Sequence, residues 1–371
     1  MGRPRPFVVA ATATRSATTQ HSRDTAVSWS EKQGAATLSL YRSLREVRDP
    51  YGGAPVRLLP EVASTDEDKV LVLLQSDHGA IPNEYFVCSW QSRHRVRLPF
   101  LPEVFLPGSM GLLVLDSRKG SYLVAHLSVT HNQNTGLITQ GSLHLWEYND
   151  SSSLSSSKTE SITLPLPLPN CTNWHAYRVV SFGTDLMWID LKQGLLHIKI
   201  SEKPARFHFK NLPEELSSIS TKPWRNDRPE RFRSVGYCED VLKLVNLHMP
   251  DTSNNTVEVG IWTLKNGNWS KDSNIVRLNC RKLWARYSTP LPPWPNSVPS
   301  FPFLRKDNSN ILALTVVGEN KKAWLLQINM KTNTLIDVAE YPRYCSHMKP
   351  PFLINSSSIT PKRTMILWPL L

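Results

Sequence analysis

The stretch Leu186–Ile200, LMWIDLKQGLLHIKI, reads as two short strands around a polar tip. Side chains alternate along a strand, so Leu186, Trp188 and Asp190 share one face while Met187, Ile189 and Leu191 share the other. After Gly194 the alternation resumes, with Leu196, Ile198 and Ile200 opposed to Leu195, His197 and Lys199. The intervening residues suit a hairpin loop of about three to five residues. Gly194 is expected to supply the positive φ that closes it.

The same grammar recurs along the chain. GLLVLDSRKGSYLVAHL sets Asp116 and Gly120 four apart between apolar runs, and VGIWTLKNGNW does so with Thr263 and Gly267. WLLQINMKTNTLIDV uses Asn329 and Asn333, asparagine being the other residue that tolerates a left-handed backbone. FVCSWQSRHRVRLP, with Ser89 and Arg93, is a fifth instance. The anchors Asp116, Asp190, Thr263 and Asn329 are spaced by 74, 73 and 66 residues. Ahead of the hairpins, RVVSFGTDLMWID, RSVGYCEDVLKLV and ALTVVGENKKAWLLQI each read as strand, tight turn after a glycine, strand. Gly183, Gly236 and Gly318 stand at the equivalent place. Each unit is thus an antiparallel meander of at least three strands. Repetition of such sheets predicts an all-β, β-propeller-like fold, with a paired β-sandwich as the alternative.

Long connections fit between the strands: Asn149–Ser161 with its SSSLSSS run, Ser201–Glu230, and the proline-rich TPLPPWPNSVPSFP. LPPWP, from Leu291, is read as a rigid connector between blades rather than as a polyproline II ligand for a partner's aromatic groove. Helix is sparse; TLSLYRSLREV, with Leu40, Leu44 and Val47 on one face, reads as a short helix or an early strand. LPEELSSIS from Leu212, and LPEV at Leu59, have the look of an F-box opening, but Pro223 and Pro229 break any helix after the first, and a loop is expected at both. Residues 1–60 form a divergent, partly disordered N-terminal segment, and residues 61–371 a single propeller-like domain.

The composition suits a folded chain, with 40% hydrophobic residues and 12 Trp among 371. No apolar run approaches the ~20 residues of a membrane span. The balance of 43 Lys/Arg against 31 Asp/Glu leaves a net charge of +12, which favours nucleic acid, anionic lipid or acidic protein surfaces without selecting among them. Lys199–Arg233 is the richest basic window, with nine Lys/Arg interleaved with Phe207, Phe209, Trp224 and Phe232. Aromatics among cations serve single-strand stacking in some proteins; here they are read as core residues of a solvated β edge.

Chemistry leaves few marks. The five cysteines, Cys88, Cys171, Cys238, Cys280 and Cys345, are never spaced for zinc and are expected to be reduced and buried, which fits an intracellular compartment. The five sequons at Asn149, Asn170, Asn254, Asn268 and Asn355 are expected to stay unmodified. Met1–Arg23, rich in Arg, Ala, Ser and Thr with no acid, has the composition of a transit peptide or of a plain disordered tail. No G-x-S-x-G, P-loop, G-x-G-x-x-G or H-E-x-x-H occurs. Asp185, Asp190, Glu239 and Asp240 are read as turn residues, and His197 as a satisfied structural residue. No catalytic, cofactor-binding or metal-binding residue is assigned, and no cofactor is expected.

LMWIDLKQGLLHIKI, RFRSVGYCEDVLKLVNLH and VEVGIWTLKNGNW resemble, in order, three motifs of the plant domain-of-unknown-function family 1618. Trp188, Asp190, Gly194, Leu195 and Leu196 match its first motif, Arg231–Gly236 the second, and Trp262, Thr263, Leu264 and Trp269 the third. The similarity spans roughly Lys69–Tyr344; the first sixty residues depart from the usual family opening. The resemblance implies a grass-expanded family with no established activity and no catalytic residues to carry over. Some relatives pair the domain with an F-box, which this chain lacks. The expected function is a non-enzymatic protein–protein interaction module in the cytoplasm or nucleus, with another protein as partner and no membrane. Nucleic-acid association is the first alternative, and an enzyme with a site in the propeller channel the second.

Overall fold

The computed structural model describes residues 7–13, 26–32, 35–41, 58–67, 69–76, 84–89, 95–98, 107–149, 159–163, 173–202, 207–218, 229–251, 256–272, 276–287, 291, 294, 298–317, 323–341, 352–356 and 363–369. Strands β1 (Phe7–Ala13), β2 (Ala26–Lys32) and β3 (Ala35–Tyr41) come first. TLSLYRSLREV thus opens as strand; its second half lies outside the described residues.

Five meanders follow. The first holds β4 (Leu58–Asp66), β5 (Lys69–Ser76), β6 (Glu84–Ser89) and β7 (Arg95–Arg97). The second holds β8 (Met110–Asp116), β9 (Ser121–His131), β10 (Ile138–Asn149) and β11 (Thr159–Thr163). The third holds β12 (Arg178–Phe182), β13 (Asp185–Asp190), β14 (Gly194–Lys199) and β15 (Phe207–Asn211). The short helix α1 (Glu214–Ser218) leads to β16 (Arg233–Cys238), β17 (Val241–Asp251), β18 (Thr256–Lys265), β19 (Asn268–Lys271) and β20 (Val276–Asn279), where β19 and β20 pair with opposite ends of β18. After helix α2 (Cys280–Ala285), the fifth meander is β21 (Ser300–Arg305), β22 (Asn308–Val317), β23 (Ala323–Asn329) and β24 (Thr334–Tyr341). β25 (Phe352–Ser356) and β26 (Arg363–Pro369) join β1–β3 in a further sheet, where β1 runs parallel to both β3 and β26.

These are the blades of a five-bladed β-propeller. The four main strands of every blade are ordered as the chain runs, the short β20 alone returning beside β18. A Greek-key sandwich instead needs a long connection that brings a fourth strand back beside the first. The paired-sandwich alternative therefore fails. The blades start 52, 68, 55 and 67 residues apart, so the spacing of the polar anchors is not the blade period. Asp116 ends the first strand of its blade, Asp190 the second, and Thr263 and Asn329 lie on the third. A shared local turn chemistry produced the apparent register. The Asp116 carboxylate accepts from the backbone N–H groups of Arg118 and Lys119 at 2.9 and 3.2 Å, and the Asn329 side-chain oxygen from those of Lys331 and Thr332 at 3.0 and 3.2 Å. Both are Asx turns, which need no tertiary partner.

The tight hairpins follow the twist rule that favours primed turns. Gly183 takes φ +57° at the first position of the two-residue β12–β13 loop, a type II′ turn. Asn266 and Gly267, at +48° and +75°, make a type I′ turn between β18 and β19. Asn333 is left-handed as expected. Two glycine assignments are corrected. Gly194 is the first, buried residue of β14, and the loop before it is only Leu191–Gln193. Gly236 lies inside β16; its turn comes later, at Glu239 and Asp240, both left-handed. Gly318 and Arg93 lie outside the described residues.

The chain packs as two compact units. The first is Met1–Asp190 with Leu195–Phe209 and Pro351–Leu371, and the second Leu191–Gly194 with Lys210–Pro350. In the first, β4 packs against β8 and β12. The Ser64 hydroxyl accepts from Leu112 N–H at 3.2 Å, Asp66 Oδ2 from Val114 N–H at 2.7 Å, and the Ser181 hydroxyl donates to Thr65 O at 3.4 Å. One apolar layer joins Leu71, Leu73, Tyr85 and Val87 to Leu112, Val124 and Trp146; a second joins Leu123, Leu127, Leu143 and Leu145 to Leu186, Trp188, Leu196 and Ile198. LPEV at Leu59 lies within β4, the first strand of a blade, not in a loop. In the second unit β16 packs on β21, and one core collects Phe232, Leu247, Val259, Leu314 and Leu326 around Trp284 and Trp324. Leu291 and Trp294 of LPPWP pack against that core, Trp294 edge-on to Trp284 at 5.4 Å, which is the expected connector role.

Trp188 has no exposed surface, and its indole N–H donates to Ser109 O at 2.7 Å, across 79 residues. Close approach helps: a Cβ on Gly108 would stand 2.2 Å from Ala176 O. Trp188→Phe removes that donor and under-fills the site. It is expected to lower stability by about 2–4 kcal/mol, read from urea midpoints; an unchanged midpoint contradicts the clamp.

His126 on β9 lies opposite His144 on β10, their rings 6.1 Å apart. Burial first, and the His144 charge second, hold its imidazole down at about 3. The folded chain therefore keeps it neutral where the unfolded chain takes up a proton near pH 6.5, so its contribution is full above that pH and is lost as pH falls towards 3. The slope is about 1.4 kcal/mol per pH unit, or about 2 kcal/mol between pH 6.5 and 5. Urea midpoints at pH 7.5 and 5 are expected to fall less for His126→Gln than for the parent chain; equal falls contradict it.

Candidate functional site

The three motifs of Leu186–Trp269 meet on α1 and the tip of the β13–β14 hairpin, and they do so through hydrogen bonds to backbone. Arg233 opens β16 with its side chain buried. Its Nε donates to Asn246 Oδ1 at 2.7 Å, Nη1 to Leu191 O at 3.0 Å, and Nη2 to Leu216 O at 2.9 Å. Burial pulls the guanidinium down to about 10, which leaves it charged at neutral pH. Its three acceptors are neutral oxygens. Leu216 O lies in the last turn of α1, where carbonyls lack helical donors and favour a cation. A charged fork therefore substitutes for a cap and fastens the helix to β16 and to the hairpin tip.

Trp262 supplies the second hold on α1. Its indole N–H donates to Glu215 Oε2 at 2.9 Å, and the Lys271 ammonium stands 5.2 Å from its ring centroid. The ring folds back over Gly260, where a Cβ would meet ring carbons at 2.7 and 2.8 Å. Only glycine fits there. Trp269 N–H donates to Asn211 O at 2.8 Å, and Leu212 N–H to Gln193 O at 3.1 Å. LPEELSSIS is thus not a plain loop. It carries a five-residue helix, with Leu212 ahead of it and Leu216 within it both buried, held by Arg233 through Leu216 and by Trp262 through Glu215. Pro213 before Glu214 is the local start signal that a loop reading passed over.

Asp190 also reaches beyond its turn. Its carboxylate accepts from the His175 backbone N–H at 2.8 Å, fifteen residues upstream, and only 1% of it is exposed. The acid thereby fastens the segment that enters β12. Glu239 likewise reaches out of its turn, accepting from Ser309 N–H at 3.2 Å and its hydroxyl at 2.9 Å.

The remaining titratable cluster is on the third blade. His197 Nε2 lies 2.8 Å from Asp185 Oδ2, the Thr184 hydroxyl donates to Asp185 Oδ1 at 3.4 Å, and the His208 ring centroid is 6.1 Å from that of His197. His197 is therefore satisfied by a partner, as expected, and Asp185 serves it as well as the turn. An imidazole held by a carboxylate can store or pass a proton; the hydroxyl nearest the pair is on the carboxylate side, not on the imidazole as nucleophilic catalysis needs. The thiols are poor nucleophiles. Burial pushes both Cys238 and Cys280 up to about 12, and Cys238 donates to Arg305 O at 2.9 Å. Cys88, Cys238 and Cys280 are buried thiols that form no disulfide; Cys171 and Cys345 lie outside the described residues. Among the described residues, no group of three His, Cys, Asp or Glu could hold a metal ion, and no helix is long and apolar enough to cross a membrane.

The Lys199–Arg233 window does not form a stacking surface among the described residues. Phe207 and Phe209 pack against the core of the first unit, and Phe232 is part of the core of the second. Lys199 pairs with Glu202 at 3.4 Å, Lys210 donates to Asn268 Oδ1 at 3.4 Å, and Arg233 is buried. Trp224 lies outside the described residues.

A model of a family described as protein of unknown function, DUF1618, matches residues 188–312. No curated protein matches the chain. Among solved structures, a mutant of AofleA from Arthrobotrys oligospora is 9% identical, covering 84% of this chain and 82% of that chain with a TM-score of 0.39. A hypothetical selenium-binding protein from Sulfolobus tokodaii is 11% identical, with coverages of 84% and 75% and a TM-score of 0.38. A neuraminidase-like protein from A/bat/Guatemala/164/2009 is 8% identical, with coverages of 83% and 82% and a TM-score of 0.40. The family match begins at Trp188 and takes in Arg233, Gly260 and Trp262, whose internal bonds are described above, and it supports the chain's membership of the DUF1618 family.

Proposed function

We propose that this propeller is a non-enzymatic scaffold whose loops and hairpin tips bind another protein. The observation that supports the reading is where the motif chemistry goes. Trp188, Asp190, Arg233 and Trp262 all bond inward, to backbone or to α1. What is left for a partner is the chain between strands and the exposed strand ends. Large apolar side chains stay exposed among the described residues: Leu115 near the end of β8, Leu137 in the β9–β10 loop and Ile336 on β24 are 41%, 42% and 39% exposed. Exposed apolar residues suit a protein contact better than a polyanion.

Crosslinking with mass spectrometry on the tagged full chain, captured from native tissue, is expected to return a reproducible partner crosslinked at hairpin tips. Capture of no reproducible protein contradicts the reading. The net charge of +12 supports nucleic-acid association as the second reading. That reading expects retention on a DNA resin with a steep fall between 50 and 200 mM salt, as in counterion release, by about a thousandfold or more. Elution at the lowest salt sets it aside.

A further inference from the structure

Helix α2 is six residues long, CRKLWA, with Cys280, Leu283 and Trp284 buried. Its seat is rigid. The Asn279 side chain caps Lys282 N–H at 2.9 Å, and Trp284 meets Trp294 and Trp324 edge-on at 5.4 and 5.7 Å. The face it turns outward is Arg281, Lys282, Ala285 and the C-cap Arg286, all exposed. Among the described residues none of these three cations forms an ion pair. Their neighbour on β20, Arg277, does, with Glu258 at 2.7 Å.

The arrangement opposes local helix physics. Arg281 and Lys282 stand in the first turn, where the helix dipole repels cations, and that turn carries no acid. Lys282 and Arg286 are like charges at i, i+4, which repel. Lys282 also falls in the last turn and Arg286 at the C-cap, where the dipole favours a cation, which leaves Arg281 as the position with no local compensation. Three cations without an ion pair among the described residues, on one exposed face, suit an outside partner.

The strand that α2 packs against, β24, carries an exposed apolar residue. Tyr287, one residue past the C-cap, has its phenol pushed up by burial first and by the Asp337 carboxylate second, and Val338 N–H donates to Asp337 Oδ1 at 2.9 Å. Beside Asp337, the β23–β24 register slips: Gln327 pairs with Asp337 and Ile328 with Leu335, so Ile336 is a bulge residue, 39% exposed. Bulges re-aim side chains in this way.

We propose that α2 and the Ile336 bulge form a docking surface for an acidic peptide segment that carries an aliphatic or aromatic side chain. Arg281, Lys282 and Arg286 take the carboxylates and Ile336 takes the apolar group. Three cations on a helix about 9 Å long match a compact acidic motif rather than a tracked nucleic-acid backbone. The three tryptophans beneath are packed against one another, so no ring is offered for base stacking. The proposal rests on the reading of the propeller as a protein binder and names its site.

The test uses the full chain and a fluorescein-labelled peptide of alternating glutamates and leucines, with poly-glutamate and single- and double-stranded oligonucleotides as competitors. The expected result is binding of the glutamate–leucine peptide that weakens at least tenfold in Arg281→Glu/Arg286→Glu. Ile336→Ser is expected to weaken that peptide severalfold and to leave poly-glutamate unchanged. Near-ultraviolet circular dichroism matching the parent shows that each variant is folded, and Lys331→Glu, at an exposed cation of the β23–β24 turn, serves as the charge control. No binding by the parent chain, equal weakening by Lys331→Glu, or an oligonucleotide that displaces the peptide at lower concentration overturns the proposal. Native-tissue capture separates the two ideas. Partners retained equally by parent and double variant leave a protein binder that does not use α2, while no partner for either overturns the binder reading itself.

Discussion

The buried indole of Trp188 and its bond to Ser109 state the constraint under which this fold exists. A propeller blade is covered on both faces, so any polar atom between blades has lost water and must be matched within the protein. Strand ladders match the backbone inside each sheet but nothing at its borders. Side chains do that work here. Trp188 reaches Ser109 O, Asp190 reaches His175 N–H, and Ser64 and Asp66 reach the N–H groups of Leu112 and Val114.

The second unit solves the same problem with a charge. Arg233 presents three donors in a fixed fork, and three neutral oxygens from three separate segments receive them. A buried cation costs desolvation, which is why its guanidinium sits at about 10. Three good acceptors offset that cost and make the position intolerant of a shorter or differently shaped side chain. α1 would otherwise be too short to persist, since an isolated helix of five residues does not repay nucleation. Its existence is a tertiary effect.

The motif residues are therefore recognisable for structural reasons. Glycine at 260 is required because the Trp262 ring lies across it, and tryptophan at 262 because its N–H must reach Glu215. A family pattern made of such residues identifies a fold and says little about what the fold binds. The polar groups left outward-facing, above all on α2, obey no such internal demand.

What the sequence determined by itself was whatever depends on neighbours along the chain. Alternation gave the strands and their buried faces. Asp116 and Asn329 announced their Asx turns, and Asn266–Gly267 its primed hairpin, because each needs atoms only a few residues away. Glycine spacing misled at Gly194 and Gly236, where identity alone does not say whether the residue is in the turn or in the strand beside it. The Gly260–Trp262 pair was in principle legible, since residues two apart share a face of a strand. The partners of Trp188, Asp190 and Arg233 were not. They lie 79, 15, 42 and 17 residues away, and a backbone carbonyl or N–H carries no residue identity for a pattern to report. Only the packing of blades decided which carbonyl meets which donor, because burial makes an unmatched polar atom costly and leaves few arrangements that match them all.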